Sequence, residues 1–326
     1  MSRLDLAAQG GGSSQVARST SMDRTSAFIH DKLGLPGRNA YDLPDSKKRF
    51  ADGAQYRLEL PGIQNHHALR AGLEAAKQRG LTLHRITHTI GIMRNTDEEI
   101  REMVAISRDW GVELNMSVGP RATYDLSPQV STPEGARIGY RLRGADQLVR
   151  AIEDVRRAVE FGVRCVMVYD EGMLWVLDEM RRAGEMPADL HIKASAHMGH
   201  GNPASMKVLE RLGANSINPV RDLDLPTWSA LRGATDIPLD FSSEAPKSSG
   251  GFYRDYEVPE VIRIAAPVYV KSGGAEMATH AAPPSVEAAQ SYVRRMELVV
   301  GKIERYAPDA RRSGHAPADL AIPAKV

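Results

Sequence analysis

The sequence contains a single cysteine, Cys165, among its 326 residues. One cysteine excludes disulfides within the chain, zinc sites built on several cysteines, and iron–sulfur clusters held by cysteine ligands. Cys165 lies in the apolar segment VRCVMVY, which predicts a buried strand with the thiol as a small core side chain. The sequence therefore points away from cofactors that depend on cysteine.

Excess charge, aromatic residues and long apolar runs are also scarce. The formal net charge is +1 and aromatic residues make up 6% of the chain, whereas nucleic-acid-binding domains usually carry a basic excess and stacking aromatic side chains. No stretch approaches the roughly 18 apolar residues that a membrane-spanning helix needs. Residues 1–22 lack the apolar core of a signal peptide. We therefore expect a cytoplasmic protein that binds neither nucleic acid nor a membrane.

What the sequence does contain is a repeated alternation of short apolar strands and segments with helical periodicity. Eight such pairs follow one another with no second hydrophobic core left over, which predicts a single α/β domain, a (β/α)8 TIM barrel. The predicted strands are QYRLELPG, LTLHRITHT, VELNMSVGP, VRCVMVYDEG, DLHIKASAH, ANSINP, DIPLDFSSE and PVYVKSGG. We assign residues 1–50 to a flexible polar leader and N-terminal extension, 51–306 to the barrel and 307–326 to a loose tail.

Polar residues at the C-terminal ends of the strands are the candidates for a functional site, because TIM barrels place their active sites there. Lys193 and His197 share one face of the fifth strand by its two-residue period, and His200 follows in a turn. The predicted catalytic residues are Glu59, Lys193, His197, His200 and Asp240. The predicted substrate-binding residues are Arg57, His88, Asn115, Asn218, Lys271 and Gly273.

Lys193 and Lys271 come from the fifth and eighth strands, and both can point into the barrel. Two neighbouring ammonium groups lower each other's pKa, which makes a nucleophilic amine possible. The same lysines can instead bind a phosphate or carboxylate, or form ion pairs with Glu59, Asp240 or Glu244. The sequence alone leaves these roles open.

A divalent metal ion is the candidate cofactor. Glu59, His197, Asp240 and Glu244 offer the oxygen and imidazole groups that such ions prefer, so we predict them as metal ligands. Paired carboxylates can equally act as general acid and base without a metal. The sequence does not choose between these two uses.

Two similar glycine-rich segments, KSSGG at 247–251 and KSGG at 271–274, follow the seventh and eighth strands. Glycine N–H groups beside a lysine can form an anion site, and TIM barrels often bind phosphate in these loops. The segments can also be simple turns. The long connection at 120–144 is rich in arginine and tyrosine, which favours a lid over an anionic substrate, a surface loop or a subunit contact.

The middle of the chain, roughly residues 163–271, resembles the barrel domain of the peptidase U32 family. The similar segments are VMVYDEGMLWVL, HIKASAHMGHGNPASMKVLERLGANSINPVRDLDLPTW, and IPLDFSSEAP with GGFYRDYEVPEVIRIAAPVYVK. The resemblance implies a TIM barrel and, from the family's name, peptidase activity. Several members are similar to proteins that use cysteine-bound iron–sulfur clusters. A chain whose only cysteine is Cys165 cannot hold such a cluster, so it looks like a cluster-free, divergent member.

The leading functional interpretation is an enzyme that acts on a small, polar, anionic substrate by acid–base or metal-assisted carbonyl chemistry of the lyase or isomerase type. One alternative is a hydrolase of peptide or amide bonds. The other is a non-catalytic binding barrel or subunit. The expected partner is a small-molecule substrate, and assembly into a homo-oligomer is left open.

Overall fold

The computed structural model describes residues 21–122, 128–277 and 283–326, and these residues form a closed barrel of eight parallel strands. Each strand pairs with the next one in sequence, and the last strand pairs with the first. The strands are β1 (Tyr56–Pro61), β2 (Arg85–His88), β3 (Glu113–Ser117), β4 (Cys165–Val168), β5 (His191–Ala194), β6 (Ser216–Ile217), β7 (Leu239–Ser242) and β8 (Val268–Lys271). The predicted TIM barrel is confirmed.

Helices connect the strands and surround the barrel. They are α1 (Ser21–Ala27), α2 (His66–Gln78), α3 (Asp97–Asp109), α4 (Pro133–Ile138), α5 (Gly144–Glu160), α6 (Glu171–Arg182), α7 (Pro203–Arg211), α8 (Leu225–Ala234), α9 (Val258–Ala265) and α10 (Val286–Tyr306). Ile100 and Met103 of α3, like Leu174 and Leu177 of α6, are fully buried, as expected for amphipathic helices that pack on a sheet. In the described part of the chain, no helix has the length and apolar character that crossing a membrane requires.

Several polar residues after the strands begin the helices that follow. The side chains of Asn65, Thr96, Asp170 and Asn202 accept hydrogen bonds from backbone N–H groups in the first turns of α2, α3, α6 and α7. Such caps satisfy donors that a helix leaves unpaired at its start. These residues therefore set where each connection ends and each helix begins.

The hydrophobic core lies between the strands and the helices. Leu58, Ile86, Leu114, Val166 and Ile192 point outward from their strands and are fully buried in this layer. Because side chains alternate along a strand, the residues between them point into the barrel, and most of these are polar or charged. The inward-facing residues include Arg57, Glu59, Arg85, Thr87, Glu113, Asn115, Cys165, Lys193, Asp240, Ser242, Tyr269 and Lys271.

The C-terminal tail, which we expected to be loose, packs against the N-terminal end of the barrel. Ser313, Leu320 and Ala321 are buried, and the Ala324 N–H donates to the Gly162 carbonyl oxygen at 2.8 Å. The expectation of a loose tail is wrong because charged groups at this end of the barrel need partners, and the tail supplies them.

Arg57 is one of those charged groups, and the structure corrects its predicted place. Its guanidinium donates to Ser313 Oγ at 2.9 Å and to Asp319 Oδ1 at 2.5 Å, and it lies 4.0 Å from the centroid of the Phe50 ring. Arg57 shares a face with Glu59, but it lies near the start of β1. It therefore belongs to the N-terminal end of the barrel, opposite the expected substrate side.

Residues 1–20 of the predicted leader lie outside the described residues. The described part of the N-terminal extension contacts the barrel's outer layer. The Ser46 hydroxyl donates to the Ala266 carbonyl oxygen at 2.5 Å, and Lys48 Nζ donates to the carbonyl oxygens of Arg232 and Thr235 at 3.1 and 2.7 Å. These bonds fasten residues 46–48 to the C-terminal end of α8 and to the residues that follow α8 and α9.

Candidate active site

Four ionisable side chains from four strands meet inside the barrel, toward its C-terminal end. Lys193 Nζ donates to the two carboxylate oxygens of Glu59 at 2.8 and 2.6 Å and forms an ion pair with Asp240. Lys271 Nζ lies 3.2 Å from Glu59 Oε1. All four side chains are buried. We call Glu59, Lys193, Asp240 and Lys271 the charged cluster, and the structure thus brings together four of the predicted site residues.

Arg85 supports the charged cluster from the N-terminal side. Its Nη1 lies 3.3 Å from Glu59 Oε2 and 3.3 Å from Asp240 Oδ1, and its Nε donates to Glu113. The guanidinium carbon lies 3.5 Å from the centroid of the Tyr269 ring, a cation–π contact. Arg85 therefore helps to fix the carboxylates of Glu59 and Asp240 from the N-terminal side of the cluster.

Asn115 reaches the charged cluster through Thr87. The Asn115 amide donates to Thr87 Oγ1 at 3.0 Å, and the Thr87 hydroxyl donates to Glu59 Oε1 at 2.7 Å. Asn115 is fully buried, and the Cys165 thiol lies 3.5 Å from its amide oxygen. Asn115, predicted to bind substrate, is placed where it orients Thr87 and Glu59. Cys165 is a buried side chain of the barrel wall, as its sequence context predicted.

The electrostatic environment separates the pKa values of the cluster. Burial alone would raise the pKa of Glu59, but the cations of Lys193, Lys271 and Arg85 outweigh it and hold that pKa well below its usual range. Burial raises the pKa of Asp240 to about 6, and the negative charge of Glu59 adds to this effect. Burial lowers the pKa of Lys271 to about 8, where the carboxylate of Glu59 only partly opposes it. Asp240 and Lys271 can therefore each gain or lose a proton near neutral pH.

Two polar atoms beside the cluster have no hydrogen-bond partner among the described residues. Ser242 Oγ lies at the end of β7, and Ser242 pairs in register with Lys271 on the neighbouring strand. Asn218 Oδ1 lies just beyond the end of β6, and Asn218 is 3% exposed. Buried polar atoms are normally hydrogen-bonded. These two atoms are therefore candidates for contact with a ligand, as the sequence predicted for Asn218.

Arg221, in the loop that follows β6, is a candidate that the sequence analysis missed. Its positive charge interacts with Tyr140, Tyr169 and Lys271, and the residue is partly exposed. Within the described parts of the chain, its guanidinium has no ion pair or hydrogen bond. Its position three residues after Asn218 was the available signal, because loops after the strands form this face of the barrel.

The two histidines predicted to be catalytic lie in the loop after β5. The His197 ring stacks on Tyr140 with centroids 4.0 Å apart and an angle of 8° between the rings. His200 Nε2 lies 2.5 Å from Glu171 Oε1, and the same carboxylate pairs with Arg141. His197 therefore packs with Tyr140 and Tyr169, and we call these three rings the aromatic wall. His200 is part of a separate ion-paired group with Glu171 and Arg141.

Arg121 completes the aromatic wall. Its guanidinium carbon lies 4.9 Å from the ring centroid of Tyr140 and 4.5 Å from that of Tyr169. Arg121 Nη2 also donates to the Thr89 carbonyl oxygen at 3.1 Å. The long connection after β3 therefore reaches the C-terminal face, although residues 123–127 of it lie outside the described residues.

His88 is not where the sequence analysis expected it. It follows inward-facing Thr87, so its side chain leaves the other face of β2, where it is fully buried. His88 Nε2 lies 2.7 Å from Asn95 Oδ1, and burial lowers the pKa of the imidazole to about 4. His88 therefore lies away from the charged cluster, because successive side chains of a strand point to opposite faces and Thr87 takes the inward one.

Gly273 and Glu244 hold the loop after β8 in place. The Gly273 N–H donates to Glu244 Oε1, and the Ser272 hydroxyl donates to the same oxygen at 3.3 Å. Glu244 Oε2 accepts from Arg295 Nε of α10 at 3.0 Å. The Gly273 N–H, predicted to contact substrate, is thus engaged by a protein carboxylate.

The first glycine-rich segment is also a turn. The Gly250 N–H donates to the Lys247 carbonyl oxygen at 3.2 Å, and the Gly251 N–H donates to the Pro246 carbonyl oxygen at 3.1 Å. Both N–H groups are used within the loop. The structure therefore favours the turn interpretation of the two glycine-rich segments over an anion site built from their backbone.

The predicted metal ligands do not form one group. Among the residues that the structure describes, no three His, Cys, Asp or Glu side chains are arranged to hold a metal ion. Lys193 lies between Glu59 and Asp240 and supplies the positive charge there, while both oxygens of Glu244 bind other groups. His197 stacks on Tyr140. The donor set does not fit a divalent metal, so we derive no step that uses one.

Comparison with known proteins gives similarity to TIM barrels of solved structure. No family model matches the sequence, and no curated protein matches it. The YdjI aldolase from Escherichia coli K12 has a TM-score of 0.47 and 14% identity over 77% of this chain and 90% of that one. The U32 peptidase Mk0906 has a TM-score of 0.39 and 16% identity over 63% of this chain and 74% of that one. A truncated 3-deoxy-D-arabino-heptulosonate 7-phosphate synthase from Thermotoga maritima has a TM-score of 0.47 and 9% identity over 83% and 95%. Identities this low assign no activity to the chain.

Proposed function

We propose that the chain is an enzyme of the lyase or isomerase type that moves protons on the carbon next to the carbonyl group of a small anionic substrate. The observation that carries this proposal is the charged cluster, in which two carboxylates and two lysines contact one another inside the barrel. General acid–base catalysis is most effective when a group's pKa lies near the working pH. The pKa values of Asp240, about 6, and Lys271, about 8, meet this condition.

Asp240 is the group that we assign to proton transfer. With a pKa of about 6 it is mostly ionised at neutral pH, so it can accept a proton and return it. Glu59, whose pKa is held well below its usual range, stays ionised and keeps Lys193 and Lys271 in place. Removing a proton next to a carbonyl builds negative charge on oxygen, and fixed cations in a water-poor site stabilise that charge.

Positive groups at the C-terminal face support the proposal of a negatively charged substrate. Arg221 and Lys271 contribute positive charge there, and their charges interact with each other. Arg121 adds a third cation beside Tyr140 and Tyr169. Opposite charge on a small substrate would be attracted to this face and oriented by it.

The resemblance to the peptidase U32 family enters this proposal only through the barrel architecture, and not through peptidase activity. Peptide hydrolysis needs an activated nucleophile or water and a donor for the oxyanion. In the described residues, the two histidines of the β5 loop contact Tyr140 and Glu171 respectively. The His200–Glu171 pair resembles the base and acid of a hydrolase triad, but among the described residues no serine, threonine or cysteine side chain is hydrogen-bonded to the His200 ring. We therefore rank proton transfer ahead of hydrolysis.

The proposal is tested by following deuterium incorporation from heavy water into a panel of small oxo acids, hydroxy acids and phosphorylated carbonyl compounds. Proton NMR should show loss of the signal next to the carbonyl for at least one compound. The Asp240→Asn variant should slow this exchange by about 100-fold or more. The matched control is Lys247→Met, which removes an exposed lysine from the turn after β7 and should leave the exchange rate unchanged.

Three results would contradict the proposal. Exchange at equal rates in the wild type and in folded Asp240→Asn would remove Asp240 from the chemistry. Panel compounds that raise the melting temperature without exchange or turnover would favour a binding barrel. Cleavage of peptides by the wild type, lost in Glu59→Gln, would favour the hydrolase alternative.

A further inference from the structure

Lys271 and Lys193 differ in how a substrate can reach them. The Lys193 side chain is 0% exposed, and its ammonium contacts both Glu59 and Asp240. The Lys271 side chain is 10% exposed and forms one ion pair, with Glu59, among the described residues. Lys271 is also the last residue of β8, next to the C-terminal face. A compound that enters from that face therefore meets the amine of Lys271 before that of Lys193.

Polar atoms without protein partners lie near this amine. Ser242 and Lys271 are register partners on adjacent strands, and such strands lie about 4.8 Å apart. Both side chains point into the barrel, so Ser242 Oγ, which has no partner in the described part of the chain, lies beside the lysine. Asn218 Oδ1, also without a described partner, extends the same edge. A substrate oxygen next to Lys271 would give these atoms hydrogen bonds.

Arg221 supplies a second point of attachment. Its guanidinium is partly exposed and has no protein acceptor among the described residues, and its charge interacts with that of Lys271. An arginine can bind both oxygens of a carboxylate at once, which fixes orientation as well as position. A small molecule with a carboxylate near its carbonyl group would match Arg221 and Lys271 together.

We propose that Lys271 forms an imine with the carbonyl carbon of a small oxo acid whose carboxylate is bound by Arg221. This inference rests on the proposed function, because it names the substrate class and the covalent intermediate of the same site. An imine at Lys271 withdraws electrons from the neighbouring carbon, so the C–H bond there becomes easier to ionise. Asp240 would then accept that proton.

The covalent step balances without any further reactant. The neutral amine of Lys271 attacks the carbonyl carbon, and the proton that nitrogen loses is matched by one that the carbonyl oxygen gains. The resulting hydroxyl group takes the second proton of the same nitrogen and leaves as water when the C=N bond forms, so one amine and one carbonyl group give one imine and one water. Ser242 Oγ is placed to donate a hydrogen bond to that hydroxyl group. The lowered pKa of Lys271, about 8, leaves roughly one amine in ten neutral at pH 7.

Borohydride reduction tests the imine, because it converts the C=N bond into a stable amine. The protein is incubated with pyruvate or glyoxylate, reduced with sodium borohydride, and analysed by intact mass and peptide mapping. We expect one adduct per chain, located on Lys271. Lys271→Met and Lys271→Arg should form none, and the control Lys247→Met should be labelled like the wild type. An adduct on another lysine, or no adduct on the folded wild type, would overturn the proposal.

The carboxylate anchor is tested with a neutral carbonyl compound as the comparison. Arg221→Gln should reduce labelling by pyruvate about tenfold or more, because the carboxylate would lose a charged hydrogen-bond partner. Labelling by hydroxyacetone, which has no carboxylate, should change little. Arg211→Gln, an exposed arginine near the end of α7, is the matched control. Equal effects of Arg221→Gln on both probes would show that Arg221 does not bind the carboxylate.

The outcomes also separate this inference from the proposed function. Deuterium exchange without an adduct would leave proton transfer standing and reject the imine. An adduct on Lys271 without exchange of any compound would support the amine's reactivity but reject the proton-transfer proposal. Absence of both would reject both.

Discussion

Lys193 is the residue that links the two carboxylates of the site. It contacts Glu59 and Asp240 while fully shielded from solvent. Removing charges from water is costly, and a buried ion pair repays that cost only when its geometry is good. Packing alone would be achieved as well by apolar side chains. The presence of three ionisable groups at this depth is therefore more readily explained by chemistry than by stability.

Replacing Lys193 by methionine should destabilise the protein by about 3–5 kcal/mol, because two carboxylates would lose their shared cation in a buried place. The double variant Lys193→Met, Asp240→Asn should recover part of this loss, since one of the stranded charges is gone. Urea unfolding followed by circular dichroism measures both values. Lys247→Met, in an exposed turn, should change stability by about 0.5 kcal/mol or less.

A change below about 1 kcal/mol for Lys193→Met would contradict the buried arrangement. A double variant less stable than the single one would show that Asp240 is held by groups other than Lys193.

At the scale of the elements, the sequence predicts which face of a strand is polar but not how far along the barrel each residue lies. The two-residue period correctly placed Glu59, Lys193, Asp240 and Lys271 on inward faces. Arg57 has the same period as Glu59, yet it lies one inward position lower and binds the tail. Height depends on the stagger between neighbouring strands, which no local pattern contains.

Polar residues beyond the strands were the harder group to interpret. Asp170 and Asn202 begin helices, and Glu244 binds the backbone of the next loop. Each of these roles uses the same residue types as a ligand site. Arg221 was overlooked for the opposite reason, because a single arginine in a loop has no pattern and its value depends on where the loop folds.

The C-terminal tail binds charged residues of the barrel, and no pattern in its sequence indicated this role. It is rich in alanine and proline and has few large apolar residues, but it supplies Asp319 and Ser313 to Arg57 and a backbone N–H to Glu113. The His84 imidazole, whose pKa burial lowers to about 4, lies 3.1 Å from the Ser313 carbonyl oxygen. The tail thus closes the polar N-terminal end of the barrel.

Deleting residues 313–326 should lower the free energy of unfolding by about 3 kcal/mol or more, because Arg57 would lose the partners of its buried charge. Deleting only Lys325 and Val326, which are exposed, is the control and should have little effect. Thermal and urea unfolding measure the difference. A long deletion as stable as the control would mean that the tail is loose, as its sequence suggested.

At the scale of the whole molecule, the fold was predictable because the same unit recurs eight times. A count of strand and helix pairs tolerates errors in individual boundaries. The predicted fold is therefore correct even where the predicted position of a single residue is not. The barrel interior is the unexpected part. TIM barrels usually fill it with branched apolar side chains, whereas here the charged residues Arg57, Arg85, Lys193 and Lys271 lie on the inward faces of their strands and are buried.

This interior implies a division of labour within the molecule. Stability comes mainly from the apolar layer between strands and helices, where Leu58, Ile86 and Ile192 are fully buried. The inside of the barrel holds buried charges in fixed positions, and those toward its C-terminal end form the site at which we propose proton transfer. Cations and carboxylates alternate there, so each charge has an opposite neighbour.

The measurement that tests this account most directly is a carbon-13 NMR titration of labelled lysine and aspartate side chains, with Lys271→Arg and Asp240→Asn used to assign the signals. The pKa of Lys271 should be about 8 rather than the usual lysine value of 10.5, and the pKa of Asp240 should be about 6 rather than the usual aspartate value of 3.8. Asp240→Asn should also lower the pKa of Lys271, because the negative charge of Asp240 favours the protonated amine. Ordinary values for both groups, unaffected by either substitution, would mean that these side chains do not share a buried site.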